Sequence, residues 1–164
     1  MKLCYCKNKC CSFIINKYSI KKHKRRRINK KAGVFIYDSS RKKVLIVQSK
    51  GNLWGMPKGT FEDGESSKDC AIRETFEETG IILSYDQLGK CFHIYEQANY
   101  FFINMFLRDV EIKQSIDNDV SGISWINIYC LQHLVHDKII KLNHHAKLCF
   151  KFFLNINFNF KNTK

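Results

Sequence analysis

The chain has 164 residues, 45% of them hydrophobic and 26% charged, with a formal net charge of +13. That length can bury a substantial core as one domain without disulfides or a structural metal, and no apolar run reaches transmembrane length. The charge is uneven: residues 1–31 hold 12 Lys and Arg and no acid, whereas the rest hold 16 basic and 15 acidic residues, a net of +1.

Residues 1–31 therefore read as a basic, Cys-containing, poorly ordered arm ahead of a domain at 32–153. Its centre is Lys21, Lys22, Lys24, Arg25, Arg26 and Arg27. Such a block resists compact folding and attracts polyanions: RNA, an anionic membrane or a highly phosphorylated small molecule. A solubilising tail and a nuclear-import signal are the competing readings. Cys4, Cys6, Cys10 and Cys11 offer four thiols, but their spacing lacks the paired two-residue gaps of a zinc knuckle. Reactive or modified cysteines, or no role, are the other readings. The Phe13–Ile15 run is too short for a secretory signal, and the other four of the eight Cys are scattered. The expectation is an intracellular, cytoplasmic protein in a reducing compartment. No feature fixes an oligomeric state.

Residues 32–37 and 43–48 are β-branched runs separated by Asp38-Ser39-Ser40-Arg41, which predicts a hairpin. Then comes Leu53-Trp54-Gly55-Met56-Pro57-Lys58-Gly59-Thr60, a stiff lead-in whose backbone can approach a ligand closely. Lys58 is a natural phosphate partner. A helix follows, capped by Ser66 or Ser67, with Asp69 in its first turns and stopped by Gly80. Ile72, Thr75, Phe76 and Thr79 can face a core.

Glu77 and Glu78 lie three and four positions after Glu74, so all three carboxylates share a face. Two charges roughly 5 Å apart repel by about 3 kcal/mol at an effective dielectric near 20. A solvated acidic face is the bland reading. The informative one is a site for a hard cation such as Mg²⁺, which takes oxygen ligands alongside substrate phosphates. Arg73, four residues before Glu77, can hold that carboxylate.

Downstream, residues 87–95 and 100–108 are predicted strands around a hairpin loop at 96–99, and 123–126 is another strand. Residues 129–135 and 139–150 look helical, leaving a mixed sheet with helices on both faces. His133, His136, His144 and His145 read as surface or cap residues rather than a second metal site. Residues 154–164 form an Asn/Phe-rich tail whose alternation suits an edge strand or a sticky tail.

Gly59, Glu65, Arg73, Glu74, Glu77, Glu78, Gly80 and Ile81 stand where the Nudix hydrolase box wants them, and the chain resembles that family. One departure is Thr75, where an aliphatic residue is usual. The resemblance implies an α/β fold, a Nudix-type α/β/α sandwich with a mixed β-sheet. It implies Mg²⁺ or Mn²⁺ on Glu74, Glu77, Glu78 and the Gly59 carbonyl, with Glu65, Arg73 and Gly80 supporting the site. A bound water would attack a diphosphate linkage, its proton taken by a box Glu, first Glu78, or by a residue outside the box. Asp119-Val120-Ser121-Gly122-Ile123-Ser124-Trp125 is similar to a segment of mRNA-decapping members that carries Glu at the Asp119 place; Glu96 competes with Asp119.

The lead-in, with Trp54 and Lys58 as substrate-binding residues, is similar to that of decapping and dinucleoside polyphosphate members. The expected partner is a nucleotide-type polyphosphate, foremost capped RNA held in part by the basic arm. Dinucleoside polyphosphates and diphosphoinositol polyphosphates are alternatives. A catalytically silent Nudix-fold RNA-binding module is the alternative of another class.

Overall fold

The structure, a computed structural model, describes residues 2–15, 30–49, 52–95, 97–106 and 120–159. The basic cluster from Lys21 to Arg27, together with Glu96 and Asp119, lies outside them.

The centre of the fold is a strand pair, β3 (Lys31–Asp38) and β4 (Lys43–Ser49), numbered after a hairpin of β1 (Lys2–Tyr5) and β2 (Ser12–Ile15). Both central strands carry five consecutive buried residues, as strands covered on both faces do. Asp38 makes the turn between them: its Oδ1 accepts from the Ser40 and Arg41 backbone N–H groups at 2.9 and 3.1 Å. The short strands β5 (Leu53–Gly55) and β6 (Lys58–Thr60) follow, then helix α1 (Ser67–Thr79). Next come β7 (Cys91–Ile94), β8 (Ala98–Asn104), β9 (Val120–Asn127), α2 (Ile128–His136), β10 (Lys141–Leu142) and α3 (His144–Asn159).

The main sheet runs β10-β5-β4-β3-β8-β7, with β6 added to β3 and β9 to β4. The β3–β8 and β5–β10 pairs are parallel and the others antiparallel, so the sheet is mixed as expected. Alternation along the central strands splits the core into two layers. Ala32, Val34, Ile36, Leu45, Phe101 and Ile103 pack with Cys70 and Ala71 of α1. Phe35, Val44, Ile46 and Tyr100 pack on the other face with α2 and α3. The chain is thus a helix–sheet–helix sandwich.

Three elements differ from the sequence reading. The helix expected over 139–150 is interrupted, because Lys141 and Leu142 pair with Leu53 and Trp54 before Asn143 opens α3 by accepting from Ala146 N–H at 2.8 Å. The tail expected from 154 is instead helical to Asn159, since α3 is already anchored at i, i+3 spacing: Phe150 and Phe153 both pack on Phe35, with ring centroids at 5.3 and 4.7 Å. The start of the arm is a folded hairpin. Phe13 is 2% exposed and meets Trp54 edge-on at 6.2 Å, and Ser124 donates to the Ser12 carbonyl at 2.8 Å. The arm's charge is concentrated after Ile15, so the apolar residues of 2–15 are free to dock.

Among the described residues, no helix is long and apolar enough to cross a membrane. Phe13→Ala should cost about 3 kcal/mol, the usual loss for a buried aromatic. It would be read as a lower denaturant midpoint at unchanged slope. An unmoved midpoint would mean that the hairpin is no part of the cooperative unit.

Candidate active site

Helix α1 carries the carboxylates, and its ends are fixed locally. Ser66 caps it in a reciprocal capping box with Asp69, and Gly80 ends it in the left-handed conformation at φ 74°. Its buried face is small: Cys70, Ala71, Thr75 and Thr79. Thr75, the departure from the family pattern, is fully buried and donates its hydroxyl to the Ala71 carbonyl at 2.7 Å, so no polar group is stranded there. Phe76, expected to face the core, is 53% exposed, because it lies about 100° round the helix from Thr75, off the buried stripe.

Arg73 organises the acidic face. Its Nε and Nη2 grip Glu65 at 2.8 and 3.0 Å, a two-pronged pair. Its Nη1 reaches Glu74 at 3.1 Å and Glu77 at 2.9 Å, and Nη2 also donates to the Thr60 carbonyl at 3.1 Å. Those hydrogen bonds hold the Glu65 carboxyl below the usual carboxylate range. Burial lifts Glu74 above that range, against the pull of Arg73.

The lead-in closes over this face. The Glu74 carboxylate lies where a β-carbon on Gly59 would sit, so any larger residue there would push that carboxylate out of its place. The Lys58 backbone N–H donates to Glu78 at 3.0 Å, and Pro57 accepts from Val34 N–H at 3.1 Å, tying the loop to β3. Glu74, Glu77 and Glu78, with the Gly59 carbonyl, are hard oxygen donors of the kind that Mg²⁺ or Mn²⁺ takes. Burial of Glu74 gives such a cation something to relieve.

Trp54, expected to bind substrate, is 1% exposed and belongs to the core. Its role is to hold the strand that feeds the lead-in. Tyr100, which the sequence did not single out, and His145, read from the sequence as a surface or cap residue, lie close by. Tyr100 pairs with Gly33 across the sheet, and its hydroxyl is 3.2 Å from His145 Nδ1. Burial, then the charges of Lys58, His144 and Lys31, push His145 down to about 4. Lys31 also acts on Glu74 and donates to Thr60 Oγ1 at 3.0 Å. Lys31 and Lys58 are therefore near both the carboxylates and a neutral histidine. Nothing in the spacing joins residues 58, 100 and 145; only the sheet register does.

A family model described as the NUDIX domain matches residues 28–142. The chain belongs to the Nudix family. Putative hydrolase 111R of Invertebrate iridescent virus 3 is 32% identical over 141 residues, covering 77% of this chain and 78% of that protein. The mRNA-decapping protein g5R of African swine fever virus is 30% identical over 142 residues, 72% of this chain and 56% of that protein. The chain thus spans just over half of that relative, and 13% of another curated relative. Among solved structures, the MutT NUDIX hydrolase from Burkholderia pseudomallei aligns with a TM-score of 0.58 at 19% identity, over 75% of this chain and 95% of that one, a likeness of fold.

Arg73→Lys keeps the charge of this Nudix site but loses the fork, and should cost about 2 kcal/mol in thermal unfolding. Unchanged stability would show that the fork does not hold the box together. His145 gives a pH test. Its folded pKa lies below the unfolded 6.5, so its contribution to stability is complete above about 6.5 and drains as pH falls toward about 4. His145→Asn should flatten the fall in unfolding midpoint over that window; an unaltered slope would place the loss elsewhere.

Proposed function

We propose that this chain is a metal-dependent Nudix hydrolase that cleaves a diphosphate linkage in a nucleotide substrate, foremost the 5′ cap of mRNA. The observation that carries the reading is the Glu74–Glu77–Glu78 set on α1, with Glu74 and Glu77 drawn together by Arg73 and Glu78 held by the Lys58 N–H. A site without a cation has little reason to keep three carboxylates together.

Glu74, Glu77, Glu78 and the Gly59 carbonyl would hold the Mg²⁺ or Mn²⁺, which polarises phosphoryl oxygens and acidifies a water when bound. Lys58 screens the phosphate charge. Glu78, held by the Lys58 N–H, takes the proton of the attacking water, with Asp119 as the base from outside the box. Glu65 and Gly80 act through Arg73 and the helix end. A cavity of about 320 Å³ lined by Lys30, Lys31, Phe61, Tyr95, Ala98 and Asn99 opens beside β6. Its two lysines and two aromatic rings suit a phosphorylated base. Support for capped RNA comes from the likeness to the decapping relative and from the basic cluster of residues 21–27, including Lys21, Lys22, Lys24, Arg25, Arg26 and Arg27.

Glu77→Gln and Glu78→Gln should each lower turnover by at least about 100-fold with the melting temperature preserved. Near wild-type rates in saturating Mg²⁺ would remove the assigned site and favour a silent RNA-binding module. Asp119→Asn should flatten the pH–rate profile; an intact profile leaves the role with Glu78. Long capped RNA should bind with a steep salt dependence, while a cap dinucleotide should not. Faster cleavage of dinucleoside or diphosphoinositol polyphosphates than of capped RNA would reassign the substrate.

A further inference from the structure

The hairpin loop between β1 and β2 meets the first turn of α2, and four cysteines converge there. The Cys10 sulfur is 3.5 Å from that of Cys6, 3.7 Å from Cys11 and 3.4 Å from Cys130. All four sulfurs lie within 4.8 Å of one another. Cys130 stands 120 residues after Cys10, so folding, not sequence spacing, assembles the set.

The distances discriminate among the chemistries open to four thiols. A disulfide needs sulfurs about 2.05 Å apart, and these are well beyond that. A tetrahedral ion with metal–sulfur bonds of about 2.3 Å separates its sulfurs by about 3.8 Å. An iron–sulfur cluster spreads its cysteines around several metal atoms and needs a wider cage. The observed cage fits a single ion.

We propose that Cys6, Cys10, Cys11 and Cys130 form a structural zinc site that staples the N-terminal hairpin to α2. The surroundings suit thiolate ligands. The Asn127 backbone N–H points at the Cys11 sulfur at 3.2 Å, the kind of donor that orients and steadies a ligand. Cys130 is the third residue of α2, where the helix N-terminus favours negative charge. The loop is shaped to wrap an ion: Cys6 N–H bonds the Cys11 carbonyl at 3.1 Å, Lys9 N–H bonds the Cys6 carbonyl at 2.9 Å, and Lys9 adopts φ 54°. Lys43 donates to the Cys10 carbonyl at 3.5 Å and offsets the anionic centre.

Burial pushes Cys11 up to about 11, while at Cys6 burial is outweighed by hydrogen bonds from Cys10, Cys11, Cys130 and Asn8 taken together, which bring it to about 7. The four thiols cannot all ionise side by side unless a cation reverses the balance. Cys6 and Cys11 are buried and Cys10 is exposed, which gives the ion a way in. The remaining buried thiols, Cys70 and Cys149, have no such company among the described residues.

The test is metal analysis of the full chain, purified under reducing conditions from zinc-replete cells without chelator. One zinc per chain is expected. Reconstitution with Co²⁺ should give the sulfur-to-metal charge-transfer band and ligand-field spectrum of a tetrahedral tetrathiolate. Cys10→Ser removes an exposed ligand without opening the core, so its zinc content should collapse even if Cys130→Ser proves too unstable to purify. Glu77→Gln should keep both the zinc and the cobalt band, which separates this site from the carboxylates. Reduced protein with no stoichiometric zinc and no cobalt–thiolate band would overturn the proposal. Zinc retained in Cys10→Ser would do the same, as would a native disulfide between any two of the four.

Discussion

The guanidinium of Arg73 is the constraint on which the acidic face depends. Three of its nitrogens bind three carboxylates and one carbonyl, so one planar group fixes the lead-in, the loop before α1 and the helix itself. Lysine could neutralise charge there but could not set these directions together. The neutralisation is incomplete by design of the geometry: Glu78 takes its hydrogen bond from the Lys58 backbone, and Glu74 stays crowded against Gly59. What is left over is net negative charge beside the lead-in.

The legible part of this architecture was local. Cap residues, the Glu spacing and the glycine stop all act within one helix and its flanks, so the order of residues carries them directly. The central hairpin was equally plain, because Asp38 makes its turn with its own neighbours. The mixed sheet and the two helical layers follow from runs that are buried on both faces.

What could not be read is long-range. His145 reaches Tyr100 only because β10 ends the expected helix and α3 restarts beside the sheet. The lead-in put Trp54 among the substrate-binding residues, yet Phe13, 41 residues earlier, packs edge-on against it. Charge averaged over residues 1–31 hid the fact that the first 15 are rich in Cys and apolar residues. The four-thiol cage was invisible for the same reason, since its fourth member belongs to a different element.

The docked hairpin changes the topology of the basic segment. Residues 16–29 leave β2 at Ile15 and return at Lys30, next to the cavity beside β6, so both ends belong to the folded body. Their seven lysines and arginines form a span, not a free terminus. Joined to the body at both ends, those 14 residues keep their positive charge within a chain's reach of the cavity that Lys30 lines. Cutting the chain there would leave those seven basic residues joined to the body at one end only.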